Sequence, residues 1–179
     1  MATAVLSCPP ENPFITQLEA RRHRRRLTTS RALVIACEDE VGLAKSPYET
    51  DVPGSLCLGT PGASVGDPEL CEAVRYAVHE LGVEQVVLAS HSLCDHLDSE
   101  GGPTALTPAP AADGIETRVA RFNRLVDAAR DCVRSGVGRL EDDLHAAGVD
   151  VPVFGMVRAV ESGVYFAYDP ERDEFEALL

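Results

Sequence analysis

Short, wholly apolar runs alternate along the chain with longer stretches in which apolar residues recur at helical spacing, a rhythm that predicts an α/β protein. RALVIAC, ending at Cys37, is β-branched and apolar throughout, as suits a strand buried on both faces of a parallel sheet. QVVLAS, just before His91, repeats the pattern. Between them Pro53-Gly54 makes a turn into a short strand from Ser55 to Leu58, which Gly59-Thr60-Pro61-Gly62 ends. A helix follows, with Asp67 as N-cap and Pro68 in its first position. Its apolar Leu70, Val74, Ala77, Val78 and Leu81 share one side, and Gly82 ends it. Strand, helix and strand joined by short turns call for a right-handed crossover between parallel strands.

Further helices are expected from about Ile115 to Ser135 and from Val137 to Ala147, separated at Gly136. VPVFGMVRAV, a turn at Glu161-Ser162-Gly163 and VYFAYD then read as a hairpin on the sheet edge. At the other end, Asn12-Pro13 opens FITQLEARRHRRRL, where only Phe14, Leu18 and Leu27 keep helical spacing; this is a helical arm with little core of its own. Glu38 to Val52 reads as a polar loop. Ser99 to Gly114, rich in Gly, Pro and Ala, is a long loop of the kind that often serves as a lid. The expected architecture is an N-terminal helical arm, residues 1–30, and one α/β domain, residues 31–179. Its central, mostly parallel β-sheet is flanked by helices and closed by a C-terminal strand hairpin.

Composition narrows the function. The 179 residues suffice for one hydrophobic core. There is no apolar stretch behind a basic start and no run of about 18 apolar residues, so neither export nor a membrane span is expected and the cytoplasm is the expected location. Six cysteines are an even number, but without an export signal reduced thiols are expected rather than disulfides. Cys57, Cys71 and Cys132 lie in apolar or helical patterns and read as small buried hydrophobes. A net charge of −13 argues against a nucleic-acid or anionic-membrane surface. The local basic run of Arg21, Arg22, Arg24, Arg25 and Arg26 reads as a solvated helix face able to pair with acidic groups of the same or a second subunit.

Cys37 ends one predicted strand while His91 and Cys94 follow another, so neighbouring parallel strands would bring all three to the carboxyl edge, where α/β sheets place ligands. In His91-Ser92-Leu93-Cys94 the spacing of three sets imidazole and thiol on the same side of a helical turn. Two thiolates and one imidazole suit tetrahedral zinc and leave a fourth position for water or another protein ligand. HxxC alone is a weak signal, and the distant Cys37 strengthens it. A thiol redox or cysteine-nucleophile enzyme built on Cys94 is the competing reading, but it leaves two metal-type ligands unexplained.

With Cys37-Glu38-Asp39 ahead of His91-Ser92-Leu93-Cys94, the chain resembles the β-class carbonic anhydrases, whose hallmarks are CxDxR at the end of the first strand and HxxC after a later one. PGSLCLGTPGA, Pro53 to Ala63, stands where that family has a segment of the form PGDLFVVRNAGN, and VFGMVRAVESGVYF is similar to its late strand pair. The resemblance runs from about Val34 to Tyr168. It implies a zinc lyase that hydrates carbon dioxide reversibly, or a related small linear electrophile. Zinc would lower the pKa of its bound water toward about 7, and the hydroxide would attack carbon dioxide held in an apolar pocket. The family's Asp corresponds to Asp39, whose role would be to accept a hydrogen bond from that water. His96 or His79 are candidate proton relays, with packed or solvent-facing histidines as the plain alternative. Asp95 and Asp98 are candidate partners of the ligands, or simply solvated loop carboxylates. The resemblance also implies a homodimer or higher homo-oligomer with the N-terminal arm packed on a neighbour.

The departures from the family pattern are as informative. Val41 stands where the motif has the Arg that holds the Asp away from the metal; Val52 replaces a Gln, Gly59-Thr60 an Arg-Asn pair, and Asp95 the Gly after HxxC. Zinc binding survives these changes better than catalysis does. Two thiolates and a neutral imidazole leave a formally neutral site, so Asp39 without its Arg is expected to bond the ion itself, at roughly 2.0–2.2 Å. Lys45, or an Arg from a second subunit, is the candidate replacement cation. The alternative to an active lyase is thus a non-catalytic homologue with a structural zinc capped by Asp39, serving as a binding or assembly module.

Overall fold

The computed structural model describes residues 12–25, 32–41, 54–94, 96–97 and 115–178. Along the chain come helix α1 (Pro13–Arg25), strand β1 (Ala32–Cys37), the single helical turn α2 (Glu38–Val41) and strand β2 (Leu56–Thr60). Helix α3 (Pro68–Leu81), strand β3 (Gln85–His91) and helix α4 (Ile115–Ala146) follow, then strands β4 (Val153–Arg158), β5 (Tyr165–Asp169) and β6 (Glu174–Leu178). The six strands form one sheet in the order β2-β1-β3-β4-β5-β6. β2, β1, β3 and β4 are parallel, and β5 and β6 are antiparallel. This is the mostly parallel sheet expected from the sequence, with the expected hairpin formed by β4 and β5.

β1, β2 and nearly all of β3 are buried, as their unbroken apolar runs require. Leu33, Ile35, Leu58, Val86 and Leu88 share a core with α1, α3 and α4, whose inward residues include Leu18, Leu70, Val74, Val133 and Leu140. The intervening strand residues Val34, Ala36, Cys57, Val87 and Ala89 form a second, smaller cluster with Val41. Asn12 caps α1, its Oδ1 accepting from the Phe14 and Ile15 amides at 3.0 and 3.2 Å. Ile15 and Leu18 of that helix are buried, and Gln17 Oε1 accepts from the Gly59 amide at 2.7 Å, which pins α1 to β2. Asp67 caps α3 through the Glu69 amide, and Gly82 ends it in the left-handed region at φ 72°. Among the described residues no helix is long and apolar enough to cross a membrane.

Four local features depart from the expectations. The region from Ile115 is one continuous 32-residue helix rather than two, because Gly136 serves packing and not termination. A Cβ at Gly136 would lie 2.5 Å from Leu88 Cδ2, so its bare backbone is what lets α4 lie close on β3. Glu38 to Val41 is a helical turn instead of loop, and β2 runs on to Thr60. β6, unforeseen because its charged residues mask a two-residue alternation, adds an edge strand in which Glu174 and Glu176 are exposed. The loop from Ser99 to Gly114, Lys45, Val52, Asp95, Asp98 and Cys8 lie outside the described residues, as do the side chains of the arginine run.

Candidate metal centre

The strand order places the cluster. From β1 the chain crosses to β2 on one side, then returns through α3 to β3 on the other, so the connections diverge between β1 and β3. Such a switch point opens a crevice at the carboxyl ends of the strands. Cys37 is the last residue of β1 and His91 the last of β3, and Ala36 pairs with Ala89 in register just beneath them.

Past His91 the chain turns through Ser92 and Leu93 rather than through a regular helical turn. Leu93 adopts φ 61°, a left-handed conformation costly for a residue with a Cβ, and is 40% exposed. That turn sends Cys94 back inward, where it is 1% exposed. The Ser92 hydroxyl ties the turn to the β4–β5 hairpin, donating to Glu161 Oε2 at 2.9 Å and accepting from the Val160 amide at 2.9 Å. The Ser92 amide donates to the Arg158 carbonyl at 3.0 Å.

Cys37, Asp39, His91 and Cys94 come together so that one ligand atom of each lies within 4.8 Å of all the others. The two Sγ atoms are 3.6 Å apart. Tetrahedral zinc with Zn–S bonds of about 2.3 Å sets two thiolates about 3.8 Å apart, so the pair needs almost no rearrangement to share an ion. A disulfide would need about 2.05 Å, and none of the five described cysteines is in one. His91 Nδ1 lies 2.8 Å from the Ser92 carbonyl, which can only accept, so Nδ1 carries the proton and Nε2 the lone pair. Nε2 is buried with no hydrogen-bond partner, as expected of an atom that serves a metal. The donor set therefore fits zinc.

The charges within the cluster are polarised. The hydrogen bond to Cys94, and then burial, push the Cys37 thiol well above the ordinary thiol range, and the same hydrogen bond pulls Cys94 down. For His91 burial disfavours the charged form, but Cys37 together with Glu40 and the Ser92 carbonyl outweighs it and raises the pKa. Asp39 Oδ2 is 3.5 Å from Cys37 Sγ, and its side chain is 44% exposed. His96 Nε2 approaches Asp39 Oδ1 at 3.5 Å and Glu38 Oε1 at 3.3 Å. Gly62, at φ 61°, leaves room for it, since a Cβ there would lie 3.2 Å from His96 Cβ. His79, in the last turn of α3, is at the opposite end of the β3 crossover from His91.

Sequence reasoning missed three residues around the cluster. The buried Glu40 and the half-buried Arg158 form an ion pair at 2.7 Å across 118 positions, and Ser92 anchors the turn. No local pattern announces a pair so far apart. Of the other cysteines, Cys132 on α4 donates to the Gly62 carbonyl at 3.3 Å and Cys71 to the Asp143 carbonyl at 3.7 Å, and burial raises the pKa of each.

Comparison with known proteins supports the fold assignment. The structure is similar to the β-carbonic anhydrase CafA of the fungal pathogen Aspergillus fumigatus, with TM-score 0.56 and 18% identity over 85% of each chain. It is similar to the β-carbonic anhydrase CcaA, with TM-score 0.58 and 18% identity over 93% of this chain and 85% of that one. A tetrameric β-carbonic anhydrase of the filamentous ascomycete Sordaria macrospora matches with TM-score 0.51 and 17% identity, over 83% and 87% of the two chains. No family model and no curated protein matches the sequence. The fold is that of the β-carbonic anhydrases.

Proposed function

We propose that the chain is a zinc-dependent lyase of the carbonic anhydrase type, which adds water reversibly to carbon dioxide or a related small linear electrophile. Cys37, His91 and Cys94 would hold the zinc, with Asp39 as the fourth ligand in the resting protein. The observation that carries this reading is the cluster itself: four donor atoms within 4.8 Å at the sheet's switch point, with a buried imidazole nitrogen lacking any other partner. A zinc ion held there supplies Lewis acidity that makes a coordinated water more acidic. The chain's residues do the rest. The Ser92 carbonyl holds the His91 tautomer, and an Asp39 carboxylate free of the ion would accept a hydrogen bond and orient the attacking water. His96, 3.5 Å from Asp39 and partly exposed, is placed to pass a proton to solvent.

A second reading, a non-catalytic homologue with a structural zinc, is favoured by position 41. Val41 is buried among apolar residues and offers Asp39 no charge to draw it from the ion. One paired measurement separates the readings: zinc per chain, and stopped-flow hydration of carbon dioxide with a zinc-free control. About one zinc per chain with turnover supports the lyase, and the same zinc content without turnover supports the structural role. No zinc sinks both. The tetrameric assembly named for the Sordaria proteins supports a homodimer or larger oligomer here. Light scattering on the purified protein tests it, and cell fractionation tests the cytoplasmic location. Residues 1–30 would be the arm and residues 31–179 the zinc-binding domain.

A further inference from the structure

Pro68, Cys71, Glu72 and Arg75 recur at spacings of three and four and so lie along one side of α3, and Arg139, Asp143 and Ala146 do the same on α4. These two stripes line a cavity of about 450 Å³ that opens to solvent and shares no residue with the metal cluster. That volume suits a small organic molecule. The charges on its wall are unevenly matched. Glu72 Oε2 accepts from Asn12 Nδ2 at 3.2 Å, and Asp143 Oδ2 stands 4.0 Å from Arg139 Nε, offsetting that cation at a distance too long for a hydrogen bond. Arg75 is different. It is half-buried, and its Nε is shielded from solvent without a hydrogen-bond partner. A buried donor left unpaired is costly, and an acceptor brought by a ligand removes that cost.

Arg139 faces the cavity from the other helix, and its seat is built into the backbone. Gly66 has φ 111°, and any Cβ there would overlap the Arg139 guanidinium, so only glycine supplies both the conformation and the room. Cys71 lies in the wall with these groups, its Sγ donating to the Asp143 carbonyl at 3.7 Å. Burial and then the Asp143 charge raise its thiol, while the Arg75 charge lowers it, so the guanidinium of Arg75 is felt at that sulfur. In a chain of net charge −13, two arginines on one cavity wall are a local exception.

We propose that this cavity is a second binding site, for a small organic anion whose carboxylate or phosphate head pairs with Arg75 and Arg139 and whose body lies against Pro68, Ala146 and Ala147. The site is independent of the zinc reading and stands or falls without it.

Cys71 serves as the reporter. Its alkylation by iodoacetamide is followed by mass spectrometry in the presence of inorganic phosphate, succinate or sodium chloride at matched ionic strength. Two charge-assisted hydrogen bonds give a Kd on the order of 1 mM, so an oxyanion that fits should slow labelling about tenfold at roughly 20 mM. Better protection by phosphate assigns a phosphate head and better protection by succinate a carboxylate. Protection by neither, or equally by chloride, overturns the site. With the ratio of rates with and without the anion read in each variant, Arg75→Gln should weaken binding about tenfold, and Asp143→Asn, which removes a repelling charge, should tighten it about threefold. Arg139→Gln, at a side chain 61% exposed, tests the same pairing should Arg75→Gln not fold, with a similar loss expected. An affinity unchanged in either arginine variant overturns the assignment, as does looser binding in Asp143→Asn.

Discussion

The Cys37 and Cys94 sulfurs lie 3.6 Å apart, and a metal that binds both as thiolates must displace any thiol proton they carry. Because the Cys37 thiol is raised by its hydrogen bond to Cys94 and by burial, zinc affinity should fall as pH drops, since acid keeps the thiol protonated and charges His91, whose pKa is also raised. Titration of zinc binding between acid and neutral pH checks the sign; a flat profile excludes thiolate ligation. For the same reason Cys37 and Cys94 should resist thiol reagents until a chelator is added, while Cys71, only partly buried, reacts in both states. Mass-spectrometric mapping of labelled cysteines decides it, and equal labelling of Cys37 and Cys94 with and without chelator counts against the site. Position 41 is less permissive than the motif comparison suggests. Val41→Arg would place a guanidinium in the apolar cluster of Val34, Ala36 and Cys57, and should destabilise the fold by about 2 kcal/mol or more. Chemical denaturation of the variant measures this. Asp39→Ala is therefore the cleaner way to open the fourth position.

Two glycines determine how closely α4 lies on the sheet. A Cβ at Gly155 in β4 would meet Val133 Cγ1 at 2.5 Å and Val137 Cγ2 at 2.9 Å, both stiff β-branched side chains on a buried helix face. Gly155→Ala should cost about 1–3 kcal/mol through overpacking, read as a lower denaturation midpoint with an unchanged slope. Gly136 faces only the far end of the Leu88 side chain, which can rotate, so Gly136→Ala should be the milder change despite a similar 2.5 Å approach. If the two cost the same, this account of the α4–sheet contact is incorrect. α2 and the HxxC turn are the opposite kind of element: short and irregular, with Leu93 left-handed, and held by side-chain bonds to β4 and the hairpin. Their geometry is borrowed from the sheet beneath them.

Across the molecule, the candidate metal site joins segments that are far apart in sequence but adjacent at the sheet's carboxyl edge, so metal binding there should be linked to folding. A ligand that binds only the folded state stabilises it by about 4 kcal/mol when free zinc exceeds Kd roughly a thousandfold. For a chain of this size that is about 10 °C in melting temperature. Chelation should lower the midpoint by that order and restored zinc should recover it; an identical melting curve with and without metal would make the site too weak to matter.

The unbroken apolar runs ending at Cys37 and preceding His91 determined, by themselves, that two buried parallel strands exist and that their ends carry metal-type ligands. Asp67, Pro68 and Gly82 likewise bounded α3 correctly, because caps act locally. What chain order could not convey was anything decided by approach between distant segments. Gly136 looks like a helix break until Leu88 is seen against it. Glu40 looks like a loop carboxylate until it is found buried with Arg158 beside it. Even the cluster was legible only as a set of candidates, because a spacing of three in sequence does not say that Leu93 turns left-handed to face Cys94 toward Cys37. Local propensity and periodicity are properties of neighbours along the chain, whereas a 3.6 Å separation between sulfurs 57 positions apart is set by the register of two strands and the packing that holds them.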